Sequence, residues 1–146
     1  YVVGTAYGDT LIGTDMANTL MGGDGADVLT GGGQGDTLFG GKGADHFVFS
    51  ALSDSMGAEF DTIQDFEKGS DLITLIAIDA VLGGVDDVFR FIGTQAFSNT
   101  GPEVRYQLNT ANGTTLIEAH MEGSANADCK IVLNGLYDLT ADSFVL

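Results

Sequence analysis

Six side chains able to donate oxygen recur at one fixed step near the start of this chain: Asp9, Asn18, Asp27, Asp36, Asp45 and Asp54 fall at nine-residue intervals. Leu11, Leu20, Leu29, Leu38 and Phe47 keep the same step two residues later. Glycine fills much of what lies between, with 13 of the 22 glycines falling from Gly4 to Gly43. The fullest units read GGDGADVLT (22–30), GGGQGDTLF (31–39) and GGKGADHFV (40–48), preceded by weaker copies GTAYGDTLI (4–12) and GTDMANTLM (13–21). A carboxylate held in register with tightly curled backbone presents hard oxygens, from the side chain and from carbonyls. That is the donor set calcium prefers.

The elements that must position these oxygens follow from the same spacing. Paired glycines permit positive φ and a tight curl, and triplets such as Thr10-Leu11-Ile12 read as very short strands with the central side chain inward. One nonapeptide makes half a coil, so loops 18 residues apart stack. On that geometry Asp9 faces Asp27, Asn18 faces Asp36, Asp27 faces Asp45 and Asp36 faces Asp54. Carboxylates on adjacent strands lie ~5 Å apart and repel without a cation between them, so the coil is expected to need metal in order to fold.

These units resemble the G-G-x-G-x-D-x-U-x repeat (U, a large apolar residue) of the RTX, or hemolysin-type, parallel β-roll. The resemblance implies ligands from both stacked loops. In the site between the third and fifth loops these would be Gly23, Gly25 and Asp27 with Gly40, Lys42 and Asp45. The same positions elsewhere add the backbone of Gly4, Ala6, Gly22, Asp24, Gly31, Gly33, Gly41 and Gly43, and the side chains of Asp9, Asn18, Asp36 and Asp54. Thr5 and Tyr7 replace glycines in the first loop. Met16 and Asn18 make the second loop the most divergent, and its site opposite Asp36 is expected to be weak or empty. The expectation is about three calcium ions, within a range of two to four.

After residue 54 the glycine repeat stops, and the pattern reads as antiparallel β: strands at 60–66, 71–78, 87–93, 103–109, 114–121 and 129–134, with Asn112-Gly113 as a hairpin turn. Phe47, Phe49, Ile63, Phe66, Ile73 and Leu75 are expected to cover the roll's last turn. GADHFVF (43–49) followed by DTIQDFEKGSDLITL (61–75) is similar to the signature of the C-terminal domain of serralysin-type secreted metalloproteases. So are FRFIGTQAFS (89–98) and IVLNGLYDLTADSFVL (131–146). This resemblance implies that Asp61 helps complete calcium binding at the roll's end. The turn at 122–128, with Glu122, Ser124, Asn126 and Asp128, reads as solvated rather than metal-binding. The fold expected is thus all-β: a parallel β-roll over 1–54, then a C-terminal antiparallel β cap or sandwich over 55–146.

Other chemistry finds little support. The two histidines, His46 and His120, lack the H-E-x-x-H pattern of zinc proteases and read as outward strand residues; no G-x-S-x-G elbow occurs; the single cysteine, Cys129, reads as a buried thiol. No acid–base pair stands apart from the repeat, and a non-catalytic domain is expected. A formal charge of -16 disfavours nucleic acid and anionic membranes as partners, and no apolar run is long enough to span a bilayer. Tyr1 is not preceded by a basic leader, and the expectation is a piece of a longer chain.

Two functions follow from the resemblances. The first is a calcium-induced folding and type I secretion module at the C-terminus of an extracellular bacterial protein, a hydrolase such as a metalloprotease. It would join an N-terminal catalytic domain and carry its export signal in Asp142, Ser143, Phe144, Val145 and Leu146. Its partners would be calcium ions and the type I secretion machinery. The second is an accessory module like the R-modules of mannuronan C5-epimerases, assisting polysaccharide binding. A third, part of a catalytic unit, has no residues to support it.

Overall fold

The structure, a computed structural model, describes residues 1–56, 59–75, 78, 88–121 and 126–146. Its strands are β1 (Val2–Val3), β2 (Thr10–Thr14), β3 (Thr19–Asp24), β4 (Val28–Gly32), β5 (Thr37–Lys42), β6 (His46–Val48), β7 (Asp61–Ile63), β8 (Leu72–Thr74), β9 (Arg90–Phe91), β10 (Glu103–Asn109), β11 (Thr114–His120), β12 (Cys129–Asn134) and β13 (Phe144–Val145). They form two sheets, ordered β1-β3-β5-β7-β12-β11-β10-β9 and β13-β8-β6-β4-β2. Successive strands of the repeat alternate between sheets and pair in parallel with the strand one coil away, which is the winding of a β-roll.

Strict 18-residue spacing sets the register. Leu11 pairs with Leu29 and Leu29 with Phe47 in one sheet, while Leu20 pairs with Leu38 in the other. Because side chains alternate across a strand, the central residue of each triplet points between the sheets. Leu20, Leu29, Leu38 and Phe47 are buried in consequence.

The expectation of antiparallel strands at 60–66 and 71–78 is corrected here. Both segments shrink to three-residue strands, β7 and β8, that continue the parallel coil. Leu38 pairs with Ile63 and Phe47 with Ile73, so the apolar ladder runs on without glycine. What fixes a coil is an aspartate followed two residues later by a large apolar side chain, as in Asp61-Thr62-Ile63 and Asp71-Leu72-Ile73. The extra residues are absorbed between strands, some in a 3-10 turn at Leu52–Ser55. The strand expected at 87–93 is reduced to β9; residue 87, like residues 76–77 of the 71–78 segment, lies outside the described residues.

The antiparallel part is β10-β11-β12, with Tyr106 opposite Ile117 and Ile117 opposite Ile131. Gly113, at φ 74°, closes the hairpin between β10 and β11. β12 pairs in parallel with β7, and β13 with β8, so strands from the chain's end cover the last edge of both sheets. The aromatic packing expected there is present: Phe47 meets Phe66 at 6.4 Å and Phe66 meets Tyr137 edge-on at 5.6 Å. Phe49, Ile63, Phe66, Ile73 and Leu75 are all buried.

Leu133 ties the cap to the roll through its pairing with Ile63, and is wholly buried. Leu133→Ala should lower stability by about 2–5 kcal/mol, read as a shifted guanidinium midpoint in calcium-containing buffer.

Candidate metal sites in the roll

Between strands, the loops stack their acidic residues into two columns, and the backbone enforces the stacking. In the first column the Asp9 N–H donates to Asp27 Oδ1 at 2.7 Å, the Asp27 N–H to Asp45 Oδ1 at 2.9 Å, and the Asp45 N–H to Asp71 Oδ1 at 3.0 Å. In the second, the Asn18 N–H donates to Asp36 Oδ1 at 2.6 Å and the Asp36 N–H to Asp61 Oδ1 at 2.7 Å. Each rung is reciprocal: the carbonyls of Asp9, Asp27 and Asp45 accept the N–H of Val28, His46 and Leu72, the residue just after the stacked aspartate.

The other carboxylate oxygen defines the site. Oδ2 of Asp27, Asp36, Asp45 and Asp61 is buried with no hydrogen-bond partner. Within its own loop it faces the first glycine so closely that a Cβ at Gly22, Gly31 or Gly40 would sit 2.2–2.4 Å from it. A backbone oxygen crowds the same place: the Cβ on Gly22 would also lie 2.5 Å from the Gly40 carbonyl, and the stacked loops touch again where a Cβ on Gly41 would lie 1.9 Å from the Gly23 carbonyl and one on Gly43 1.8 Å from that of Gly25. Leaving buried anionic oxygens unpaired is costly, and such groups in proteins are paired or hold metal. Among the described residues every ion pair lies elsewhere: Lys42–Asp24, Arg90–Glu103, Arg105–Glu118, Lys130–Glu118 and His120–Asp128. No three His, Cys, Asp or Glu side chains converge among the described residues, as a zinc centre would need. The donors are two stacked carboxylates plus carbonyls, a set that fits a hard cation.

Burial raises the carboxyls of Asp36 and Asp45 above their ordinary value, that of Asp71 to about 6 and that of Asp61 to about 8. Neighbouring aspartates push the same way, Asp36 and Asp54 acting on Asp61.

The sequence-derived residues fall into place unevenly. Asp27, Asp36, Asp45 and Asp61 form the columns. Asp54 does not: the Asp36 N–H goes to Asp61, while Asp54 Oδ2 accepts the N–H groups of Ser50 and Ala51 at 2.7 and 2.9 Å. Asp54 keeps the nine-residue count, but the chain leaves the coil at the 3-10 turn and returns only at Asp61. Asp24 and Lys42, named for their carbonyls, pair their exposed side chains at 3.1 Å, and the Lys42 carbonyl accepts the Gly25 N–H at 2.7 Å. Asp71 escaped the sequence reading although its D-x-I pattern matches Asp61, and so did Asp65, whose two oxygens accept the N–H groups of Gly40 and Gly41.

His120 is a correction. It was expected outward, yet it is buried, stacked on Phe97 at 4.5 Å with Nδ1 3.2 Å from the Asn126 carbonyl. The end of β11 is covered on both faces, so strand alternation does not expose it. Cys129 is buried as expected, its thiol pushed up to about 12 by that burial. In the 122–128 turn, Glu122 and Ser124 lie outside the described residues; Asp128 Oδ2 accepts the Met121 N–H. The C-terminal residues form a 3-10 turn at Ala141–Ser143 and then β13.

Fold and loops together define a parallel β-roll with carboxylate-lined stacked turns. The sequence pattern of the Peptidase M10 serralysin C-terminal family matches residues 3–146, and the chain belongs to that family. Two solved structures are similar, both from the mannuronan C5-epimerase of Azotobacter vinelandii. The AlgE6R2 subunit is 25% identical, with a TM-score of 0.62 over 99% of this chain and 91% of that one. The AlgE6R3 subunit is 26% identical, with a TM-score of 0.56 over 97% and 80%.

A pH dependence follows. Without metal, the folded chain holds protons on Asp61 and Asp71 that the unfolded chain, titrating near 3.8, releases. This contribution is whole below that pH and is lost as pH rises through about 6 and about 8. In chelator, circular dichroism should therefore show the β signal fading from mildly acidic to alkaline pH; a signal growing over that range would contradict the site's electrostatics.

Proposed function

We propose that this chain is a calcium-binding module whose folding is triggered by calcium, working as the C-terminal folding and secretion unit of an extracellular protein. The observation that carries the reading is the set of four buried, partnerless carboxylate oxygens on Asp27, Asp36, Asp45 and Asp61. Calcium, when bound, supplies the positive charge these oxygens lack. Three loops, those of Asp27, Asp36 and Asp45, combine a free Oδ2 with crowded backbone oxygens, which supports three ions. Asp61 would complete the second column, and the Asp71 side chain closes the first by hydrogen bonds alone.

Calcium affinity of extracellular modules is roughly 10⁻⁴–10⁻³ M, so such a chain stays loose at low calcium and folds outside the cell. Family membership supports an extracellular parent and a non-catalytic role. The parent's own reaction would be that of a separate N-terminal domain, a peptidase by the family's description.

The likeness to epimerase subunits favours a second reading, polysaccharide binding. Charge opposes it for an acidic polymer. All five cationic side chains are engaged: Lys42 by Asp24, Lys68 by the Asp138 carbonyl, Arg90 by Glu103, and Arg105 and Lys130 by Glu118. No basic track is left to follow a polyuronate.

Calcium titration followed by circular dichroism should give a cooperative gain of β signal, and magnesium should give little because it holds its waters in tight octahedral geometry. Asp27→Ala removes the acceptor for the Asp9 N–H together with a free Oδ2, and should raise the calcium midpoint about tenfold or more. A titration in which the chain is fully β in chelator at neutral pH would reject the reading. For secretion, deletion of residues 142–146 should abolish export through a type I system; unchanged export would remove the signal from this tail.

A further inference from the structure

The seven stacked acidic or amide side chains are not alike, and for the six whose residue four places earlier is described (for Asp61 it lies outside the described residues) the difference lies at that earlier residue. At Asp9, Oδ2 accepts both the N–H and the hydroxyl of Thr5, at 2.6 and 2.8 Å. At Asn18, Oδ1 accepts the N–H and hydroxyl of Thr14, at 2.6 and 3.1 Å. At Asp71, Oδ2 accepts the N–H of Glu67 at 2.7 Å. Each of these loops has closed its oxygen with its own backbone.

At Asp27, Asp36 and Asp45 the residue four before is Gly23, Gly32 or Gly41, at φ 118°, 101° and 100°. Two residues before each aspartate, Gly25, Gln34 and Gly43 also hold positive φ, at 126°, 67° and 135°, but so does Gly69 before the closed Asp71, at 95°, so it is the earlier position that separates the loops. A positive φ turns the peptide so that its N–H no longer meets the carboxylate, and the Oδ2 stays without a partner. Thr5, Tyr7, Thr14 and Met16, at the matching places of the first two loops, are not among the residues with positive φ. Side chains rarely adopt that region, so threonine there selects the closed form.

We infer that the second residue of each nonapeptide, four before the aspartate, decides whether its loop holds calcium: glycine at positive φ opens the aspartate oxygen to an ion, and threonine replaces the ion with hydrogen bonds. This rests on the calcium reading and deepens it. The first column is then closed at Asp9, open at Asp27 and Asp45, and closed again at Asp71, so metal is confined to the middle of the stack and hydrogen bonds finish both ends. Asp9, despite matching the repeat, holds no ion.

The test is calcium stoichiometry of the whole chain by native mass spectrometry and calorimetry. The double variant Thr5→Gly/Tyr7→Gly should open the Asp9 loop and bind one calcium more than the wild type, and should lose β signal in chelator because the Thr5 bonds are gone. Thr14→Gly/Met16→Gly/Asn18→Asp should gain one ion at the second loop and serves if the first variant fails to fold. Thr5→Val keeps the backbone donor and should leave the count unchanged. Folded variants that bind the wild-type number of ions would overturn the inference, whereas a wild type that binds no calcium would overturn the function proposed above and leave the loops without their ion.

Discussion

Everything in this molecule is arranged around one electrostatic constraint: carboxylates are stacked in a buried column faster than the backbone can satisfy them. One oxygen of Asp27, Asp36, Asp45, Asp61 and Asp71 takes the N–H of the residue a coil away, which fixes register, while the second oxygen is left without a partner in four places. A dry carboxylate beside another carboxylate is unfavourable by several kcal/mol. Protonation, which the raised Asp61 and Asp71 pKa values express, or a cation is needed to relieve it. The apolar ladder of Leu20, Leu29, Leu38 and Phe47 is well packed, yet it is one side chain wide at each coil.

The cap answers a different problem. A coil of short parallel strands ends in unpaired backbone, and β12 and β13 supply the missing partners to β7 and β8. Aromatic residues fill the gap between them, with Phe91 packed on Phe144 at 5.2 Å and stacked on Tyr106 at 6.2 Å. The cap brings its own polar network, in which buried Glu103 accepts from Ser98 and Arg90, so this buried carboxylate is paired with a cation while the stacked carboxylates of the roll are not.

Much of this was legible before any coordinates. The fixed step of Asp and Leu gives the coil and its 18-residue pairing, because a period-nine pattern has few physical readings. What was lost is instructive. Counting by nine placed Asp54 opposite Asp36, whereas the coil actually resumes at Asp61; spacing is a weak guide once a turn is inserted, and the short D-x-I pattern is a better one. Asp71 went unrecognised for the same reason. His120 was misplaced since strand alternation assumes one solvent face, and nothing local to β11 reveals that Phe97 folds over it. The open and closed loops turn on φ four residues before the aspartate, which the nine-residue spacing does not report.

The parallel pairing of β12 on β7 has a bearing on how far the chain can vary. Rungs of the repeat join residues 18 apart, while Ile63 and Leu133 meet across 70. Closure entropy rises only with the logarithm of loop length, so this fourfold longer excursion is disfavoured by only about 1.2 kcal/mol more than a single repeat. A segment inserted between the coil and its closing strands is therefore thermodynamically mild, whereas one residue added inside a coil strand would turn the side chains after it in that strand onto the wrong face. Length can drift in the excursion and in the turns between coil strands, as between β6 and β7; within a strand it cannot.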